Sequence, residues 1–403
     1  MKLPSVNLFW TDNAAMKFIL SLYIVILFSF TGVSFAAEDD GTVRARAVFV
    51  GDIMIHDQQL EAARFGASWD FKPQFRRVKP LFWRSLSVGN LETVFAGGEK
   101  SFTGYPAFNT PDELTAALRD LEIDIVMLAN NHILDQGLDA ALRTTRALDD
   151  AGIFWTGLTS QDDPDEPLVV EYGGIRWAFV NYSYGSNIKR EPVKSEDLRL
   201  NFITDDAIVS GLARALIYKP DITVAFFHWG MEYQYSPSKS QREAASLCLE
   251  NGADLVIGSH PHVLQPIEVT SSDRGYSLVA YSLGNLISFQ RAKPRERGVV
   301  LAVEVEKKPG DRAVLSRVSV APTWVSARNE GGRGKVEVMY AGGGGPFNHA
   351  GLPAGELASA REAGKASLDF LGASEEPDPS GFYTLWNAAS PDIMPKKRRE
   401  TPE

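Results

Sequence analysis

The stretch Ala253-Asp-Leu-Val-Ile-Gly-Ser-His-Pro-His262 decides how this chain is read. Its apolar run, residues 255–257, predicts a buried strand that ends at Gly258 and Ser259 and then presents two imidazoles, His260 and His262. Residues i and i+2 of an extended backbone point the same way, and Pro261 stiffens the link, so both rings are expected to face one point. That arrangement suits one metal ion, or a pair sharing a site. The chain has six histidines. Beyond these two, His56 closes Gly51-Asp-Ile-Met-Ile-His, His132 closes Leu128-Ala-Asn-Asn-His and His228 lies in Phe226-Phe-His-Trp-Gly, while only His349 stands outside such a motif. Core histidines are scattered; ligand-type residues gathered at strand ends are the pattern of a metal centre.

Outward from this stretch the same rhythm repeats. Residues 42–52 and 85–92 read as strands that end in acids, Asp52 and Glu92, and residues 123–129 as a strand ending at Asn130-Asn-His132. Residues 175–182, 222–227 and 276–285 read as further strands, the second ending at His228 and the third at Asn285. Between them, residues 111–121, 137–151, 205–218 and 238–251 carry helical patterns, with Thr110 an N-cap candidate and Gly152 and Gly252 as stops. Alternating strands and helices predict an α/β protein with its ligands at one sheet edge. From residue 299 to 340 the chain reads as mostly antiparallel β, and residues 352–371 as a last helix. A polar turn at 160–167 and a charged excursion at 189–200 interrupt the pattern, and the Pro- and charge-rich residues 372–403 are expected to be a disordered tail. The domain is therefore expected over residues 42–371.

With 403 residues, 44% of them hydrophobic, the chain can bury a large core. A formal net charge of -10 argues against a nucleic-acid surface, which needs clustered Lys and Arg. The single cysteine, Cys248, excludes an internal disulfide and any thiolate zinc site. At the N-terminus, Lys17 precedes the apolar residues 18–30, and Ser34-Phe-Ala36 supplies a small-x-small pattern. Residues 1–37 are accordingly expected to be a signal peptide or an uncleaved N-terminal anchor. Either places the body outside the cytoplasmic membrane, in a periplasmic or extracellular location.

Asp52, His56, Glu92, Asn131, His132, His228, His260 and His262 together offer carboxylate, amide and imidazole groups without thiolate. That set suits Zn, Mn or Fe and is too rich in nitrogen for calcium. Eight candidates exceed one ion's needs, so two divalent ions are expected, activating water and clamping the oxygens of a phosphoryl or carbonyl centre. One histidine would stay unligated to protonate the leaving group.

In order, the blocks Gly51-Asp52, Gly89-Asn90-Leu91-Glu92, Asn130-Asn131-His132, His228-Trp229-Gly230, Gly258-Ser259-His260-Pro261-His262 and Ser282-Leu283-Gly284-Asn285 resemble the CapA family of poly-γ-glutamate capsule biosynthesis proteins. That family is a branch of the calcineurin-like metallophosphoesterase superfamily. The resemblance implies a four-layer αββα sandwich and a dinuclear metal site. Carried onto this sequence, it gives Asp52 and His262 to one metal and Asn131, His228 and His260 to the other, with Glu92 as the bridge and His132 as general acid. Asn90 and Asn285 would hold the ligands or orient substrate, or be turn residues at strand ends. Two positions depart from the superfamily's pattern: Met54 replaces the histidine of its Asp-x-His block, leaving His56 as the candidate in that turn, and Glu92 replaces its bridging aspartate.

These readings lead to an exported metal-dependent hydrolase acting in capsule or exopolymer assembly on a phosphoester or an amide bond of an anionic polymer. Two alternatives stand beside it. One is a non-catalytic accessory protein that binds the polymer or a membrane-bound synthase; the other is a general periplasmic phosphomonoesterase.

Overall fold

The computed structural model describes residues 41–159, 166–188, 198–272, 274–347 and 349–390. Residues 1–37, where a leader or anchor is expected, lie outside them, as do most of the expected turn at 160–167, most of the expected excursion at 189–200 and residues 391–403.

The chain builds half of one sheet, then all of a second, and returns to complete the first. The first pass is β1 (Val43–Ile53), α1 (Asp57–Ala63), β2 (Leu86–Leu91), α2 (Glu113–Asp120), β3 (Ile125–Met127), α3 (Leu138–Ala151) and β4 (Phe154–Thr156). The second sheet follows as β5 (Leu168–Tyr172), β6 (Ile175–Ser183), α4 (Asp205–Ile217), β7 (Ile222–His228), α5 (Lys239–Glu250), β8 (Leu255–Ser259), β9 (Ile267–Ser272) and β10 (Gly275–Ala280). The return comprises β11 (Asn285–Ile287), β12 (Arg297–Lys307), β13 (Val314–Glu330), β14 (Arg333–Tyr340), α6 (Ala354–Leu371) and β15 (Tyr383–Asn387).

The first sheet runs β14-β13-β12-β1-β2-β3-β4, with β11 on β1 and β15 on β13; the second runs β9-β10-β8-β7-β6-β5. Strands β1 to β4 are mutually parallel, as are β6, β7, β8 and β10, so their C-terminal ends gather at one edge of each sheet. Alternation along the strands sets the layers. Val224, Phe226, Leu255 and Ile257 belong to the core shared with the first sheet. Ala225, Phe227 and Val256 face the other way, onto Ile208, Leu212, Ala245 and Cys248 of α4 and α5. Helices α2 and α3 cover the far face of the first sheet, packing Leu114, Leu118, Ala141 and Leu148 into it. The result is the αββα sandwich that the resemblance implies.

Local chemistry fixes the helix ends. Ser238 caps α5, its hydroxyl accepting from the Gln241 N–H while Gln241 returns a bond to the Ser238 N–H. Thr204 caps α4, and Gly152 ends α3 in the left-handed region. Thr110 does not cap: its hydroxyl lies 2.6 Å from that of Thr93, and the helix starts at Glu113.

Two expectations are corrected. The stretch 276–285 is not one strand: β10 ends at Ala280, residues 281–284 cross between the sheets, and Asn285 opens β11 opposite Asp52. A stretch whose apolar residues continue to Leu283 could not reveal that the chain changes sheets halfway. Residues 372–403 are not wholly a disordered tail, because residues 383–387 form β15 against β13 and bury Phe382, Leu385 and Trp386. The apolar cluster Phe382-Tyr-Thr-Leu-Trp386 outweighs the Pro- and charge-rich flanks there.

Candidate metal centre

Asp52, Glu92, Asn131, His228, His260 and His262 come from the ends of β1, β2, β3, β7 and β8 and converge where the two parallel strand sets meet. A register shift at Gly51, between Val50 and Asp52, turns the Asp52 side chain inward. There the backbones touch: a Cβ on Gly51 would lie 1.9 Å from the Gly284 carbonyl oxygen. The paired histidines do not sit on an extended backbone as expected. The strand ends at Ser259, and His260 and His262 adopt positive φ of 95° and 56°, conformations that cost free energy outside glycine. This turn brings their ring centroids to 5.7 Å.

Two of the ligand groups share one carboxylate. Donor atoms of Asp52, Glu92 and His262 all lie within 4.8 Å of one another, and so do those of Glu92, His228 and His260. Asn131 joins the second group, its Oδ1 2.7 Å from His228 Nε2. His56 stands outside both. Its Nδ1 accepts the Phe289 N–H at 3.2 Å and its ring packs edge-on against Phe108.

The surrounding bonds prepare the ligands. His262 Nδ1 lies 3.0 Å from both Asp52 Oδ2 and Asn285 Oδ1, two acceptors that hold the proton on Nδ1 and leave the Nε2 lone pair facing Glu92. His228 Nδ1 lies 3.0 Å from the Ser259 hydroxyl, whose own proton goes to the Phe227 carbonyl, and this contact holds the ring in place. Asn90 is fully buried beneath the cluster; its amide donates to Asp52 at 2.8 Å and stands 3.2 Å from His228 Nδ1. Asn90 and Asn285 thus steady ligands, and Asn285 is also tied down through its amide to the Arg295 carbonyl.

Electrostatics favours a cation here. Burial, followed by the nearby charge of Asp52, pushes Glu92 well above the ordinary carboxylate range. Burial also opposes the charged form of Asp52, but His262 and Asn90 outweigh it and hold that carboxyl low. Burial drives His228 far down and His260 to about 3, so both rings stay neutral and keep their lone pairs. Glu92 Oε1 and His260 Nδ1 are buried without a hydrogen-bond partner. Orphaned polar atoms of this kind are costly, and a bound divalent ion would satisfy them. The residues present therefore fit a metal pair.

His132 lies beside the cluster, its Nε2 3.9 Å from Glu92 Oε1 and its Nδ1 2.7 Å from the Asp135 carboxylate. Sequence reasoning missed Asp135, although its spacing of three from His132 within one turn was a readable signal. It also missed three residues that only the fold brings near. Asn187 lies over the His132 ring, with its N–H on the Asn131 carbonyl. Half-exposed Tyr184 covers His228 and His260 at ring distances of 6.1 and 4.5 Å. Exposed Glu232 forms a third group with the buried His260 and His262.

Fold and site together define an αββα protein with a buried, mixed-ligand centre suited to two divalent cations. The model of the bacterial capsule synthesis protein PGA_cap family matches residues 46–290, and the chain belongs to that family. It is 27% identical to the capsule biosynthesis protein CapA of Bacillus anthracis over 74% of each chain. It is 29% identical to the PGA biosynthesis protein CapA of Bacillus subtilis (strain 168), over 66% of this chain and 68% of that one. A relative described as a probable polyglutamine synthesis accessory protein of Mycobacterium tuberculosis (strain CDC 1551 / Oshkosh) is 28% identical over 45% of this chain and 50% of that one. Among solved structures, the calcineurin-like phosphoesterase YfkN of Bacillus subtilis aligns with a TM-score of 0.43 at 13% identity, covering 82% of this chain and 99% of that one.

Proposed function

We propose that this protein is an exported, metal-dependent hydrolase that acts in the assembly of a poly-γ-glutamate-like capsule or exopolymer, cleaving an amide or phosphoester bond. The observation that carries the reading is Glu92, shared between two ligand groups, with His132 poised beside it.

A pair of divalent cations, bound by Asp52, Glu92 and His262 and by Glu92, Asn131, His228 and His260, would supply Lewis acidity and water activation near neutral pH. Mn, Zn and Fe all fit this nitrogen-rich set. The protein's own part is positional. Asp135 accepts from His132 Nδ1 and orients the ring, so that Nε2 faces the centre and can deliver a proton to the leaving group. Tyr184 and Asn187, both exposed, border the centre on one side.

The test is turnover by the purified full chain supplied with Mn or Zn, on γ-glutamyl polymer and on simple phosphoesters. Hydrolysis of either, abolished in His132→Ala with metal content unchanged, supports the proposal. The name of the mycobacterial relative favours a second reading, that of an accessory protein. Polymer bound but never cut, with metal loaded, selects it.

A further inference from the structure

We infer that a pocket between α1 and the β13–β14 hairpin binds the carboxylates of a linear acidic polymer at a distance from the metal centre; this rests on the polymer reading above. The pocket encloses about 290 Å³ and is lined by Arg64, Arg76, Arg333 and Lys335 against two acids, Asp70 and Glu337. Glu337 is buried and holds three guanidinium groups, those of Arg76 at 3.2 Å, Arg77 at 3.4 Å and Arg328. Glu330 on the hairpin tip takes Lys335 at 2.8 Å and a second contact from Arg328. Six cations therefore meet three acids, a surplus of three positive charges on a chain whose formal net charge is -10. His349, at the back of this cluster, is held below its ordinary range by burial and then by the charges of Arg77 and Arg361.

Register puts the pocket on the same sheet edge as the metal ligands. Asp52 pairs with Asn285, Gly284 bridges to Gly298, and the adjoining Arg297 pairs with Trp324, beyond which β13 runs on to the hairpin. Helix α1 spans the gap, starting next to His56 and ending next to Arg64. Seven helical residues measure about 10 Å, a distance that a few units of an extended polymer would cover. The pocket walls between the cations are apolar, formed by Ala62, Phe65, Pro73 and Val336. Cations set among an apolar wall match a chain of methylenes with a carboxylate on every unit, and match a polyphosphate poorly.

The experiment compares Arg333→Glu/Lys335→Glu with the parent in a metal-loaded His132→Ala full chain, which binds polymer without consuming it. Calorimetric titration with poly-γ-glutamate is expected to show at least tenfold weaker binding for the double variant and a shallower dependence on salt. The same two changes in the wild-type background should leave turnover of a small phosphoester or γ-glutamyl dipeptide within twofold. Should charge reversal unfold the chain, Arg333→Gln/Lys335→Gln takes its place. Equal polymer affinity in parent and variant overturns the proposal, as does polyphosphate binding as tight as that of the polymer. Absence of turnover by the wild type would count against the hydrolase alone, because the binding comparison does not depend on it.

Discussion

The Asp135 carboxylate stands 2.7 Å from His132 Nδ1, and both side chains are almost wholly enclosed. An acid in that position accepts the Nδ1 proton and fixes the ring's orientation. Asp135→Asn should therefore lower kcat by roughly 10- to 100-fold, as such supporting residues commonly do. KM and metal content should hardly move. Steady-state kinetics alongside metal analysis checks this, and a variant with unchanged kcat would remove Asp135 from the mechanism.

Gly51 is where the two sheets' connections pinch together. Because a Cβ there would meet the Gly284 carbonyl at 1.9 Å, Gly51→Ala must push β1 away from β11. The expected loss is about 1–3 kcal/mol, together with weaker metal retention, since Asp52 follows directly. Thermal unfolding with and without added Mn measures both effects.

Asp124 is half-buried just before β3, and partial burial pushes its carboxyl up to about 6 despite a bond from the Ser87 N–H. Between its unfolded value near 3.8 and about 6, the folded state holds the extra proton, so stability is highest at the acid end and falls as pH rises through that window. The loss attributable to this one residue is at most about 3 kcal/mol. Asp124→Asn keeps an acceptor for Ser87 and should flatten the slope between pH 4 and 6, leaving the variant at least as stable as wild type at pH 7. Denaturant titrations across that range decide the matter.

Trp386 tests the strand that composition concealed. Its side chain is fully buried in β15, so Trp386→Ala should cost about 3–5 kcal/mol, whereas a disordered tail would lose nothing. Urea unfolding gives the number directly.

Much of the site could be read before the fold was seen, because each ligand ends an apolar run and the runs alternate with helices. That Asp52, Glu92, Asn131, His228, His260 and His262 come together in space was legible for that reason. His56 was misleading: the same spacing argument applied to it, yet helix α1 starts immediately after it and carries its ring off toward Phe108 and Phe289. The convergence of His260 and His262 was foreseen from extended geometry but arises from two residues at positive φ, which sequence patterns do not report. Tyr184 and Glu232 lie near the centre because β6, β7 and β8 are neighbours in the second sheet, a long-range pairing that no local window contains.

The central claim is that one carboxylate, Glu92, joins two metal sites. Elemental analysis of the full chain, purified without chelators and dialysed against Mn or Zn, tests it most directly. Close to two ions per chain are expected in the wild type and in His56→Ala, and one or fewer in Glu92→Ala. A wild type that holds a single ion or none, or a Glu92→Ala chain that still holds two, would contradict it.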